Sequence, residues 1–292
     1  MATLREVRRR ITSVRNIAQI TRAMQMVAAS RMKRAQDAIL AARPYSDELR
    51  DALARVAGAV DAEVDPLLAR RPVGRVGLVV ITTDRGLVGS LNANAVRAVL
   101  RHLADAASRL DDGVEITAIT VGRKGRDALR RAGVPIAAHF PQLGDRPTFA
   151  DVTPIARLVT EDFLAGAYDR IEIAYSTFIN TLSQRPVIRT VLPVERPRMG
   201  AQETETNDEY LFEPSPEAVL GRLLPHFVAV DIYRAVLENR ASEQSAQMVA
   251  MRNATENAHE LIGDLTLVYN KTRQANITRE MTEIASGAEA LG

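Results

Sequence analysis

The first forty-three residues contain no Gly and no Pro, and their apolar positions repeat at heptad spacing. Leu4, Val7, Ile11, Val14, Ala18, Thr21, Gln25, Ala28, Met32, Ala35, Ile39 and Ala42 form one seam, and ten of the twelve are apolar. A second apolar edge runs beside it through Ile17, Ile20, Met24 and Val27. Side chains three and four apart share one face of an α-helix, so this pattern predicts an amphipathic helix sustained for about six heptads. At 1.5 Å per residue it spans about 65 Å. Pro44 is expected to kink or interrupt it, with helical pattern resuming through Leu49, Leu53 and Val56.

The other end of the chain mirrors the first. Pro214 and Pro216 suit a helix start. Past Pro225 no further Pro occurs, and Val230, Tyr233, Leu237, Ala241, Met248, Met251, Ala258, Ile262, Leu265 and Tyr269 recur at helical spacing. From His226 to Ala285 such a helix reaches about 90 Å. Helices of that length outside a membrane need a partner along their apolar stripe. The simplest partner is the helix at the opposite terminus, in a two-stranded coiled coil.

Between these arms the period changes. Val76–Thr82 is a continuous apolar run between turn residues, the pattern of a strand buried on both faces. Further strands are predicted at 114–121, 134–139, 171–178 and 187–194, and helices at 94–108, 123–131 and 151–167, the last with Asp151 as N-cap. Alternating strands and helices indicate an α/β domain with a largely parallel, Rossmann-like sheet. The expected organisation is an N-terminal coiled-coil helix (1–60), an inserted α/β domain (73–195), an acidic loop (196–215, with Glu203, Glu205, Asp208 and Glu209) and a C-terminal coiled-coil helix (216–292).

Charge refines this picture. Net charge is only +2, yet nine bases and one acid lie between Met1 and Ala35, whereas eight acids face five bases from Leu237 onward. Opposite charge on the two arms favours their pairing modestly, because each exposed ion pair contributes little. Arg5 to Arg15 interleave with the seam, so they form the outer face of a coiled coil and not a separate nucleic-acid-binding segment. The absence of Cys excludes disulfides, thiolate metal ligands and thiol switching. No apolar run approaches the roughly 20 residues needed to span a bilayer.

Candidate chemistry is sparse. The loop Thr83–Ser90 holds Gly86 and Gly89 ahead of a helix and could cradle a phosphate, but it matches neither common phosphate-loop pattern. A tight strand-to-helix turn with Asp84 as cap is the preferred reading, because a lone pair of glycines is a weak ligand signal. Gly122-Arg-Lys-Gly125 shares only its letters with nucleic-acid-binding loops. His102, His139, His226 and His259 have no metal-ligand spacing. A nucleotide-binding α/β module with coiled-coil arms stays open as an alternative on these residues alone.

Several longer motifs carry a family resemblance. The run Ile11-Thr-Ser-Val-Arg-Asn-Ile-Ala-Gln-Ile-Thr-Arg-Ala-Met-Gln-Met-Val-Ala-Ala-Ser-Arg-Met-Lys33 resembles the opening helix of γ subunits of F-type ATP synthases. Glu238-Asn-Arg-Ala-Ser-Glu-Gln-Ser-Ala-Gln-Met-Val-Ala-Met-Arg252 and Leu267–Gly287 are similar to the closing helix of that family. Thr82-Thr-Asp-Arg-Gly-Leu87, Phe178-Ile-Asn-Thr181 and Tyr210-Leu-Phe-Glu-Pro214 also match. The resemblance implies a central rotor shaft without a catalytic site or cofactor of its own. Its terminal helices would form a long antiparallel coiled coil that enters a hexamer of α and β subunits. Its α/β domain would rest on the c-subunit ring beside an ε subunit, so that proton flow drives rotation. Association with the cytoplasmic side of a bacterial cell membrane would be peripheral, through the ring. Arg273, Gln274 and Thr278 match positions that touch a β-subunit loop, and Met24 matches one near the facing β-subunit region. Small or apolar tip residues such as Ala285, Gly287 and Ala288 suit a sliding bearing. Gln247 and the loop Gly86-Leu-Val-Gly-Ser90 depart from the family pattern, and the cysteine-bearing insert of chloroplast γ subunits is missing.

Overall fold

The computed structural model describes residues 3–58, 60, 65–109, 113–141, 143–195 and 212–289. Ten elements follow in order: α1 (Leu4–Gly58), β1 (Arg75–Ile81), α2 (Leu91–Arg109), β2 (Glu115–Val121), α3 (Arg123–Arg131), β3 (Ile136–Phe140), α4 (Phe149–Leu164), β4 (Arg170–Phe178), β5 (Gln184–Leu192) and α5 (Pro216–Glu289). The chain divides into two compact units. One pairs residues 1–28 with 247–292, and the other comprises residues 29–246.

In the larger unit the strands form one sheet of order β3-β2-β1-β4-β5. The first four are parallel, with Val76 beside both Ile116 and Arg170. β5 pairs antiparallel with β4 and closes one edge. The parallel sheet expected from the alternating pattern is therefore present, with one antiparallel edge strand starting three residues earlier than the sequence suggests. Side chains of β1 alternate between two cores because successive residues face opposite sides of a sheet. Leu78 and Val80 meet Val99 of α2 and Leu129 of α3. Val79 and Ile81 join Val152, Ile155 and Phe163 of α4, Leu224 and Val228 of α5, and Leu53 and Val56 of α1. Burial on both faces explains why β1 reads as an unbroken apolar run.

Two local expectations are corrected. α1 is not interrupted at Pro44, whereas α5 begins at Pro216 as expected and runs through Pro225. An internal proline costs about 3 kcal/mol. Around Pro225, Leu220, Leu224 and Val228 are all fully buried, and each such side chain contributes about 1.5–3 kcal/mol. Packing therefore outweighs the lost hydrogen bond, and Ser46, Leu49 and Leu53 do the same beyond Pro44. Asp151 is not the N-cap of α4. Thr148 holds that place, and Asp151 reaches back one turn to accept the Thr148 backbone N–H and hydroxyl, both at 2.7 Å. Those two donors hold the Asp151 carboxyl below the ordinary carboxylate range. The acidic loop lies largely outside the described residues, at 196–211.

A buried carboxylate ties α2 to the sheet. Glu172 of β4 is 6% exposed and contacts His102 Nε2 at 2.6 Å and Arg170 Nε at 3.3 Å. The hydrogen bond to Glu172 raises the His102 pKa above 6.5 against its partial burial, with Asp105 reinforcing and Arg170 opposing. A histidine whose folded pKa is raised contributes stability that is complete below its unfolded pKa and fades as pH passes the folded one. The melting temperature should thus fall as pH rises from about 6 through the neutral range, and His102→Gln should remove that component. Identical pH profiles for the two proteins in thermal melts would show that this pair does not titrate as described.

Candidate functional site

Two surfaces hold the residues singled out by the sequence: the glycine-bearing loop after β1 in the larger unit, and the paired helices of the smaller one. In the loop, the first backbone amides of α3 are all taken by residues that follow β1. Arg123 N–H donates to Asp84 Oδ1 at 2.8 Å, Lys124 N–H to the Thr83 carbonyl at 3.0 Å, and Gly125 N–H to Thr82 Oγ1 at 2.8 Å. A helix N-terminus offers unpaired donors and a partial positive charge, the features that draw phosphates. Here the chain fills that place with its own carboxylate and hydroxyl.

The glycines of Gly122-Arg-Lys-Gly125 serve the same contact. A Cβ on Gly122 would lie 2.3 Å from the Thr82 carbonyl oxygen, at a φ of +91°, and one on Gly125 would lie 2.7 Å from Thr82 Oγ1. Asp84 thus caps α3 of the neighbouring strand–helix unit, and not the helix that follows its own loop. Asn92 of α2 completes the turn, donating to Thr83 Oγ1 at 2.7 Å and accepting the Thr83 N–H at 3.2 Å. Leu87 is exposed with a φ of +64°, an uncommon conformation for a side chain of its size.

The histidines find partners of other kinds. His226 meets Tyr45 Oη at 2.5 Å in a cavity of about 980 Å³ lined also by Phe149 and Tyr233. His139 contacts Thr120 Oγ1 at 3.1 Å. Among the described residues no three of His, Cys, Asp and Glu are grouped to hold a metal ion.

The closing-helix motif at Glu238–Ser245 has a structural task that sequence reading missed. Asn239 Oδ1 accepts the Ser176 N–H at 3.2 Å, and Ser242 Oγ donates to the Ser176 carbonyl at 2.9 Å. Glu238 accepts Thr177 Oγ1 at 2.6 Å, and Ser245 Oγ donates to the Thr181 carbonyl at 2.7 Å. Arg189 of β5 grips Asp231 through two nitrogens, at 2.5 and 2.9 Å. Burial opposes the Arg189 charge, but Asp231 more than offsets it and raises the guanidinium pKa. The motif at Phe178–Thr181 is the other half of this contact. Polar residues inside a helical stripe were the available signal, because a helix that faced only solvent or only apolar neighbours would not need them.

In the smaller unit the expected seam is present. Val7, Ala18, Thr21 and Ala28 are buried on α1, and Met251, Thr255 and Ala258 on α5. Thr21 and Thr255 meet through their hydroxyls at 2.7 Å. That pair sets the register. Seventeen residues before Thr21 is Leu4, where α1 begins, and the residue seventeen after Thr255 is Thr272. Half-buried seam positions accordingly continue through Ile262, Leu265, Tyr269 and Thr272 to Asn276, and every described side chain beyond is exposed. α5 itself continues to Glu289. Among the described residues its last turns therefore have no partner, yet they carry Ile277, Met281 and Ile284 at helical spacing, 48%, 66% and 73% exposed. The second edge on α1 is largely uncovered too, with Ile17, Ile20 and Val27 exposed and Met24 half-buried.

Arg273, Gln274 and Thr278 are all exposed and lie together where the seam ends, and the Thr278 hydroxyl donates to the Gln274 carbonyl at 3.0 Å. Met24 is not part of that group. The register sets it against Arg252, some 22 residues and about 33 Å along α5 from Gln274.

A family model described as ATP synthase matches residues 3–291. The chain is 53% identical over 293 residues to the ATP synthase gamma chain of Roseiflexus castenholzii, covering 100% of this chain and 99% of that one. The chain belongs to the ATP synthase gamma-chain family. The gamma chains of Dehalococcoides mccartyi and Chloroflexus aurantiacus are 48% and 50% identical to this gamma-family chain, each covering 100% of it and 100% and 99% of themselves. Among solved structures, the central stalk and c-ring of Tetrahymena thermophila mitochondrial ATP synthase contains a chain of 25% identity and TM-score 0.60, covering 80% of this chain and 99% of that one. A chain of the Euglena gracilis mitochondrial enzyme shares the fold at 22% identity and TM-score 0.67, covering 99% of this chain and 94% of that one.

The Asp84 cap can be measured directly. Asp84→Ala should lower the unfolding free energy by about 1 kcal/mol, the usual effect of losing a capping side chain, and Asp84→Asn should restore most of it. Urea unfolding curves that place the alanine variant level with wild type would contradict the capping role.

Proposed function

We propose that the chain is the central shaft of a rotary ATP synthase, turning with a c-subunit ring inside a hexamer of α and β subunits, with an ε subunit beside its α/β unit. The observation that carries this reading is the end of the seam. α5 outlasts its partner helix and presents apolar side chains that none of the described residues covers. Exposed apolar stripes of this kind mark surfaces meant for another protein. The gamma-chain relatives, matched over their full length, supply the identity of that protein: the head of the synthase.

On this reading proton flow through the ring turns the shaft, and its uneven surface brings each β subunit in turn through binding, synthesis and release of ATP. Arg273, Gln274 and Thr278 are the contacts to a β-subunit loop, and Met24 is a second contact lower on the coiled coil. The exposed side chain of Ala285 suits a bearing surface, where fixed polar contacts would resist sliding. The chain itself holds no catalytic site and no cofactor. That assignment is supported by the α3 N-terminus, whose leading amides are satisfied internally by Thr82, Thr83 and Asp84. The alternative of a nucleotide-binding module loses its main ground there. No described helix is long and apolar enough to cross a membrane. On the proposed reading, association is through the ring, on the cytoplasmic face of a bacterial cell membrane.

Co-expression with α and β subunits, followed by gel filtration and ATPase assay, tests the assignment. One copy should co-elute with a hexamer whose activity depends on it; separate elution without effect on ATPase would reject it. Within the assembled enzyme, Arg273→Ala and Gln274→Ala should each reduce proton-driven ATP synthesis roughly fivefold, equivalent to about 1 kcal/mol of lost contact, at an unchanged melting temperature. Wild-type synthesis rates in both variants would remove these residues from the interface.

A further inference from the structure

Neither the helical seam nor the capped turn uses a cavity of about 680 Å³ in the larger unit, lined by α1, the segment before α4, and α5. Four arginines line it: Arg31, Arg34, Arg146 and Arg240. Asp145 is the one carboxylate in its wall. Asp145 is shared, meeting Arg31 at 2.8 Å and also Arg240. Arg240 has a second carboxylate in Glu243, at 2.6 Å.

Arg34 and Arg146 have none. Arg34 Nε reaches only the Ser30 carbonyl, at 3.4 Å, and among the described residues neither guanidinium has an acidic partner. Arginine stays protonated at any physiological pH. Counting Glu243, which lies outside the wall against Arg240, four positive charges face two negative ones among the described residues, an excess of two. Like charges lining one cavity repel, the more strongly where surrounding protein lowers the dielectric.

Arg240 adds a second, independent sign. It is 8% exposed, and its Nε has no hydrogen-bond partner among the described residues. A buried guanidinium N–H without an acceptor is costly, and such groups normally find one. The wall therefore offers donors and charge in excess of what the described residues supply to meet them. Asp145 fixes Arg31 and Arg240 in place and leaves the forks of Arg34 and Arg146 open.

We propose that this cavity binds a small phosphate-bearing polyanion of the pyrophosphate class. The planar fork of arginine matches the oxygens of a phosphate group through paired hydrogen bonds, and two open forks match two linked phosphates. The volume lies within the roughly 300–1,000 Å³ of small-molecule sites. Occupancy would tie α1, the segment before α4 and α5 to one ligand, so binding to the folded state alone would raise the melting temperature.

Titration calorimetry of the purified full chain with pyrophosphate, at about 50 mM salt to limit screening, tests this. The expected result is saturable binding at one site per chain, with a ligand-dependent rise in melting temperature. Arg34→Ala with Arg146→Ala should weaken binding at least about tenfold. Arg9→Ala with Arg10→Ala, which removes the same charge from the exposed face of α1, should leave it unchanged. Arg146→Lys keeps the charge but not the fork, and it should weaken binding even if the double variant folds poorly. Absence of saturable binding, or equal loss in both double variants, would overturn the proposal; the second result would mean that net charge alone attracts the anion.

Discussion

Buried polar bonds between α5 and the β4–β5 hairpin are the constraint on which the larger unit depends. A helix held only by apolar contacts can rotate or slide by small amounts at little cost, because dispersion and burial are non-directional. Asn239, Ser242, Ser245, Glu238 and Asp231 cannot. Each has a backbone or side-chain partner on one of the two strands, and a turn of the helix would leave several buried groups unpaired at about 1–3 kcal/mol each. The network therefore specifies one rotational setting, in the way that fully satisfied polar networks do.

The smaller unit solves the same problem with fewer polar atoms. Its seam is Ala, Val, Ile, Leu and Met, and small apolar knobs tolerate neighbouring registers. The buried hydroxyl pair of Thr21 and Thr255 distinguishes among them: each lies within hydrogen-bond distance of the carbonyl one turn earlier in its own helix, at 3.1 and 2.8 Å, so one donates across the seam while the other donates to its own backbone. A shift by one heptad would place Met248 or Ile262 opposite Thr21, and Val14 or Ala28 opposite Thr255, leaving the hydroxyls apart. The same register decides how far α5 extends past the start of α1, and hence how much apolar surface is left for another subunit.

The α/β unit keeps the outline of a ligand-binding fold while using its loop internally. Thr82, Thr83 and Asp84 leave β1 and seat themselves on the first turn of α3, where Gly122 and Gly125 make room. The result is a stiff connection between adjacent strand–helix units, suited to a part that transmits force. The uncompensated arginines are elsewhere, on the wall formed with α1 and α5.

Heptad spacing alone determined both long helices, and the unbroken apolar run determined the doubly covered strand β1, because periodicity is a property of which residues must face a neighbour. The motifs at Glu238–Ser245 and Phe178–Thr181 were visible as a family likeness, but their mutual contact was not, since some sixty residues separate them and no local rule links the two. Proline and aspartate misled for a related reason. Local propensity breaks the first helix at Pro44 and makes Asp151 and Asp84 caps of the nearest helix. Leu49 and Leu53 overrule it at Pro44 by burial, Thr148 takes the cap of α4, and Asp84 serves α3 because the parallel sheet brings α3 alongside. The sequence named Met24 and Gln274 as contacts without giving their separation, and the Thr21–Thr255 register sets it at about 33 Å. The sequence by itself thus determined the elements and the family, which depend on short-range pattern. Only the tertiary structure decided which polar groups meet, because those pairings join residues that the chain order keeps far apart.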